Sequence, residues 1–170
     1  DNDIIVPAGQ TLTVGPGQVI KASHWAVDLR VNGTLNAQGT IEAPIVFTEA
    51  RDDTAGGDTN NNGPSVGGAT SWRGIVFQAG SSASVINHAD VRYGGSGFVS
   101  NVEISNSNPT LTNCTIRNCY THGMDLNASS SPTVSSAWNR SCGVLWAQPG
   151  AASVAASSAA VTCAASATAY

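Results

Sequence analysis

Pro109-Thr-Leu-Thr112 returns as Pro132-Thr-Val-Ser135 about 23 residues further on, and that spacing decides the fold. Between the copies lie Thr115-Ile-Arg117 and Gly123-Met-Asp-Leu126, short runs in which apolar and polar residues alternate. One turn of chain therefore holds about three strands of three to five residues, punctuated by Asn, Gly and Ser. Strands so short cannot bury a face alone. Stacked each above its copy in the previous turn, they make three continuous parallel sheets around one apolar interior. Thr11–Val14, Leu29–Val31, Thr34–Asn36, Ile45–Phe47, Ile75–Phe77, Val85–Ile86, Ala89–Arg92 and Val102–Ile104 follow the same plan less regularly. The expected fold is all-β, a right-handed parallel β-helix of about five coils over residues 1–136. Such a column stands roughly 25 Å tall, with Asn113 and Asn118 as candidates for an asparagine ladder at the turns. A β-sandwich is the competitor; it needs hairpins with Asn-Gly-type turns, and only Asn32-Gly33 resembles one.

Composition narrows the class. Only 11% of the 170 residues are charged, the formal charge is −4, and Lys21 is the single lysine. Nucleic-acid binding needs a clustered basic footprint, which is missing. No apolar run approaches the length of a bilayer span. The sequence starts at Asp1 and its only methionine is Met124, which reads as a processed mature chain or an excised fragment. Cys114, Cys119, Cys142 and Cys163 match no zinc spacing. They suit one or two disulfides in an oxidising compartment, or, for Cys114 and Cys119, small apolar side chains inside a coil.

Two stretches break the rhythm. Residues 50–74 form a long insertion with almost no aliphatic content, and loops of that kind usually carry function. After Ser136 the coil pattern stops, and residues 137–170 become an Ala/Ser-rich, irregular tail, read as a cap or as sequence foreign to the repeat.

The run Val31-Asn-Gly-Thr-Leu-Asn-Ala-Gln-Gly-Thr-Ile-Glu-Ala-Pro-Ile-Val-Phe-Thr48, followed by Asp52-Asp53, Gly57-Asp-Thr-Asn60 and Trp72-Arg-Gly-Ile-Val-Phe77, resembles secreted bacterial right-handed β-helix repeat proteins. Their architecture is similar to that of the pectate-lyase-like superfamily, and the resemblance covers about residues 5–136. It implies a secreted, extracellular or periplasmic bacterial protein. It does not fix an activity, because one fold hosts many.

The strongest chemical motif is Asp58-Thr-Asn60-Asn-Asn62-Gly63, the first half of an EF-hand-type loop. The position that would close such a loop with a bidentate Glu is Ala69, so the EF-hand proper is excluded. Asp52, Asp53, Asp58, Asn60 and Asn62 are the expected Ca2+ ligands, because three carboxylates in one loop repel one another without a cation. Glu49 and backbone carbonyls are the further donors. Such an ion either orders the loop or, with an open position, polarises a carbonyl. The candidate bases are His88, paired with Asp90 two residues on in a strand and extended by Arg92, and His122, with Asp125 three residues on. His24 is a third histidine. Trp72, Tyr93, Phe98 and Tyr120 either stack on sugars or fill the interior, with Phe98 assigned to the interior.

Three functions are compatible with this reading. The first is a calcium-binding β-helix module that takes a carbohydrate or small-ester ligand along a face. The second is a Ca2+-dependent hydrolase opening an ester or a lactone such as an acyl-homoserine lactone, with His88, Asp90 and His122 as catalytic residues. The third is a polysaccharide lyase.

Overall fold

The structure, a computed structural model, describes residues 3–98, 100–127 and 129–135, with Cys142 and the backbone of the strands at 138–140, 146–147, 155–156 and 162–164. The first coil comprises β1 (Ile4–Val6), β2 (Thr11–Val14) and β3 (Val19–Ala22). The second holds β4 (Asp28–Val31), β5 (Thr34–Gln38) and β6 (Ile45–Glu49), and the third β7 (Gly74–Phe77), β8 (Val85–Asn87) and β9 (Ala89–Arg92). A fourth is built from β10 (Val102–Ser105), β11 (Thr110–Thr112) and β12 (Thr115–Arg117). Then follow β13 (Met124–Asn127), β14 (Thr133–Ser135), β15 (Trp138–Arg140), β16 (Trp146–Ala147), β17 (Ala155–Ala156) and β18 (Thr162–Ala164). Every third strand joins the same sheet, giving three 6-stranded sheets that begin at β1, β2 and β3. All strand pairs are parallel. The fold is a parallel β-solenoid of about five turns, and a hairpin-based sandwich is excluded.

The 109/132 repeat is one rung: Thr110, Leu111 and Thr112 pair with Thr133, Val134 and Ser135. Period-two alternation then sends one set of side chains inward in columns. In the first sheet Val31, Phe77, Ile104 and Leu126 stack rung upon rung, each with no exposure. In the second Ala37, Ile86, Leu111 and Val134 stack, and in the third Phe47, Val91 and Ile116. Each of these side chains larger than Ala37 contributes roughly 1.5–3 kcal/mol by leaving water, and one contiguous core results.

The corners decide where polar side chains end up. His88 (φ 47°) and Asn113 (φ 53°) turn the chain from the second sheet to the third. Gly39 occupies the rung before His88, where a Cβ would stand 2.5 Å from the His88 carbonyl oxygen. Asn113 Nδ2 donates to Asn87 Oδ1 at 2.9 Å, while Asn118 lies at the other end of β12. At Asn113 one asparagine-to-asparagine contact between neighbouring coils is therefore present, reaching Asn87 of the coil before. Ser81, Ser107 and Ser130 fill the corner between the first and second sheets. There the Ser81 and Ser107 hydroxyls share a hydrogen bond of 2.7 Å, and the Ser130 hydroxyl donates to the Ile104 carbonyl at 3.0 Å.

Beyond residue 136 most positions lie outside the described residues, and with them most of the expected tail. The strands described there extend the three ladders, β15 on β12, β16 on β13 and β17 on β14. Cys119 is bonded to Cys142 one rung away. Cys114 is buried and reduced, and the side chain of Cys163 is outside the described residues.

Candidate functional site

The insertion 50–74 leaves the third sheet after β6 and folds across that sheet's outer face. Lys21 Nζ donates to the Gly57 carbonyl at 2.6 Å, and Gly56 rests on Val19 and Lys21. The deepest anchor is Asp52, which is fully buried. Its carboxylate accepts from Thr48 Oγ1 at 2.6 Å and Thr54 Oγ1 at 2.5 Å, and it pairs with Arg92 Nη2 at 2.7 Å. Burial raises the pKa of Asp52, but these hydroxyls and the guanidinium outweigh it and hold the carboxyl below its usual range. Glu49 is also depressed: burial opposes, and hydrogen bonds from Arg51 and Gly68 prevail.

Asp52, Asp53 and Asp58, the carboxylates expected as metal ligands, each accept hydrogen bonds from protein groups. Asp52 is committed to Arg92, so the repulsion among acids that motivated a cation is largely answered by a guanidinium. Asp58 accepts from its own loop, from the Asn62 and Gly63 N–H groups at 3.2 and 3.0 Å. Asp53 Oδ2 accepts from the Ser65 N–H at 2.7 Å, and the Ser65 hydroxyl contacts Asp53 Oδ2, Asn62 Oδ1 and the Arg51 carbonyl. Asn60 is exposed. Among the described residues, no three His, Cys, Asp or Glu side chains converge for a metal. What fits an oxygen-seeking ion is the smaller cluster about Ser65, where Asp53 Oδ1 is buried without a hydrogen bond.

The catalytic candidates are also redistributed. His88 is a corner residue, not a strand residue, so it does not share a strand face with Asp90. Asp90 is saturated: Arg117 Nε and Nη2 approach at 3.0 and 2.7 Å, and Arg92 Nη1 at 3.2 Å. No hydrogen bond joins His88 to Asp90 among the described residues. Both still line a shallow groove of about 520 Å³ on the third sheet, with Ile41, Asn113, Thr115 and Arg117. His122 stands before β13 on the first sheet, where Nδ1 lies 3.5 Å from Asp125 Oδ1. Trp72 and Tyr93 are buried, Trp72 Nε1 donating to the Arg92 carbonyl at 2.9 Å, whereas Tyr120 is exposed. The Phe98 side chain is outside the described residues.

A second groove lies on the first sheet. On the outer face of the first sheet, Ile5, Arg30, Val76, Glu103 and Asp125 form one straight row, a rung apart. Asn32 and Gln78 flank it, and the groove encloses about 530 Å³. Asp28, 1% exposed, lines its far side and holds Arg30 Nη2 at 2.7 Å and Arg73 Nη1 at 3.8 Å. Asp28 Oδ1 and Arg30 Nε are buried without a hydrogen bond. Glu103 Oε1 accepts from Asn127 Nδ2 at 3.1 Å. Asp125 is pushed up by burial and by the Glu103 charge, with His122 opposing. The sequence did carry a signal for the acidic end: Val102-Glu-Ile104 and Met124-Asp-Leu126 are both an acid between two inward apolar residues, one coil apart.

Compared with protein-family models, with curated proteins and with solved structures, the chain matches none.

Proposed function

We propose that this chain is a carbohydrate-binding β-solenoid module that takes an extended glycan along the outer face of its first sheet. One observation carries the reading: the groove combines an apolar floor, Ile5 and Val76, with rows of polar groups aligned along the stacking axis. Its rungs repeat at about 4.8 Å, close to the length of one sugar unit in an extended polymer. Sugars offer an apolar ring face and hydroxyls at the rim, and polar groups fixed by a rigid sheet need no ordering on binding. Asn32 and Gln78 line the groove beside this floor and offer amide donors and acceptors to the rim hydroxyls.

The coil is taken as right-handed and the protein as a secreted relative of bacterial β-helix proteins; the Cys119–Cys142 disulfide supports an oxidising compartment. Among the described residues no helix is long and apolar enough to cross a membrane. Calcium belongs to the proposal as a loop-ordering ion near Ser65, held by Asp53 and Asn62 with backbone oxygens. Hydrolysis of an ester or lactone through His88 and Asp90 has less support, because Asp90 is already saturated by two arginines. A lyase reading also has less support: among the described residues Arg30 and Arg117 are held by carboxylates at 2.7 Å, which leaves Arg73, 3.8 Å from Asp28, as the loosest cation at either groove.

Titration calorimetry against a panel of β-linked oligosaccharides tests the reading. Binding is expected, weakened at least tenfold by Ile5→Asp combined with Gln78→Ala, two positions outside the core. Absence of binding across the panel, or binding that survives this double variant, refutes it.

A further inference from the structure

We propose that Asn62 is a self-modifying site: the Gly63 amide nitrogen closes on the Asn62 side chain, expels ammonia and leaves aspartate or isoaspartate in the insertion loop. The proposal stands apart from the glycan-binding reading, since the insertion leaves the third sheet and the glycan groove lies on the first.

The chain has two Asn-Gly pairs, Asn32-Gly33 and Asn62-Gly63. A glycine after asparagine leaves its backbone nitrogen accessible to the side-chain amide carbon, because no Cβ shields it and the peptide turns freely. The fold treats the two pairs in opposite ways. Gly33 is buried, and a Cβ there would stand 2.2 and 2.3 Å from the Pro7 and Gln10 carbonyl oxygens. The Asn32 and Gly33 N–H groups both donate to the Val6 carbonyl, at 2.9 and 3.1 Å. That peptide is clamped between β4 and β5 and has no room to rotate into a ring. Asn62, by contrast, is exposed, and nothing lies within 4 Å of the place a Gly63 Cβ would take. Here the ring has space, and water reaches it.

Two side chains beside this peptide suit the two halves of the reaction. The Gly63 N–H donates to Asp58 Oδ2 at 3.0 Å, so a carboxylate is placed to accept the proton of the attacking nitrogen. The Asn62 N–H donates to Oδ1 of the same carboxylate at 3.2 Å, which keeps that base over the peptide. The Ser65 hydroxyl reaches Asn62 Oδ1 at 3.2 Å, the oxygen on which negative charge develops. Its one proton is shared with the Arg51 carbonyl at 2.7 Å and Asp53 Oδ2 at 3.1 Å, so its help is the lesser of the two. In the reaction Gly63 N passes its proton to Asp58 and bonds to Asn62 Cγ. The Cγ–Nδ2 bond breaks, and Nδ2 takes up that proton and leaves as ammonia. Water then opens the succinimide at either carbonyl, giving aspartate or, with the backbone rerouted through the side chain, isoaspartate. Either product adds a carboxylate to the loop that already carries Asp53 and Asp58, so its negative charge grows as the molecule ages.

The test incubates the whole chain at mildly alkaline pH, folded and in parallel in urea, and follows both asparagines by peptide mass spectrometry, where conversion adds one mass unit. In the folded protein Asn62 should convert at least tenfold faster than Asn32. In urea the two rates should come within threefold, since only the fold separates the pairs. Asp58→Asn should slow conversion at Asn62 at least fivefold, whereas Asp58→Glu, which keeps a carboxylate, should retain at least half of the parent rate, with melting curves confirming that both variants fold. Equal conversion of Asn32 and Asn62 in the folded protein overturns the proposal. So does a rate at Asn62 that Asp58→Asn leaves unchanged or raises. A tenfold difference that persists in urea overturns it as well, because the surrounding sequence and not the fold would then be its cause.

Discussion

Asp52 and Arg92 are joined beneath the insertion, and removing one partner leaves the other charged in a dry place. Asp52→Asn is expected to cost about 3–5 kcal/mol, the usual penalty for breaking a buried pair, read by urea denaturation. The pH dependence follows in sign. Asp52 and Glu49 are both more acidic folded than unfolded, so the stability they give is complete above about pH 4 and falls away as pH drops below it. The Asn variant should therefore lose less stability between pH 5 and pH 3 than the parent (values about the unfolded carboxyl range); an equal loss would count against the pair. Cys114 presents a different residue-scale case. Burial pushes its thiol up to about 11, so it should resist alkylation at pH 8 in the folded protein and react on unfolding, as followed by mass spectrometry. Fast modification under native conditions would mean that the interior opens there.

Among elements, the insertion and the strands it covers make one unit. Its outer cluster about Ser65 predicts that calcium raises the melting temperature, and that Asp53→Asn removes the rise while Asp52→Asn lowers stability with or without the ion. A calcium response that survives Asp53→Asn would place the ion elsewhere. The element scale also shows what could be read from sequence. The coil around residues 109–135 was legible because two uninterrupted copies follow one another. β1 and β3 escaped notice because Ile4-Ile-Val6 and Val19-Ile-Lys-Ala22 sit in the end coil, where the alternation between inside and outside is weak and Ile4 and Ile5 are exposed. The site was harder. His88 and Asp90 have strand spacing, yet a positive φ at His88 puts it in a corner, and no periodicity argument detects that. The partnership of Asp52 with Arg92 joins a loop to a strand far along the chain, and that of Glu103 with Asp125 exists only once the register is known.

For the whole molecule, stability is shared between neighbouring rungs, as in other stacked repeats. The Cys119–Cys142 bond fastens one such neighbour pair across 23 residues. Reduction is expected to cost about 3 kcal/mol in the loop-entropy account, visible as a lowered denaturation midpoint. It should also speed proteolysis beyond residue 119 before the lower coils are cut, checked by mapping early fragments. Simultaneous loss of all fragments would indicate a single cooperative unit instead.

Among the described residues, each strand's ladder partners are the rungs directly above and below it, and the end strands have one such partner. Tension applied along the column therefore loads one layer of bonds at a time, like opening a zipper, whereas tension across it loads many in parallel like a rope in shear. A molecule tethered by its two ends should yield in small, evenly spaced steps at low force. One held at two points on a single rung should resist until it gives way at once.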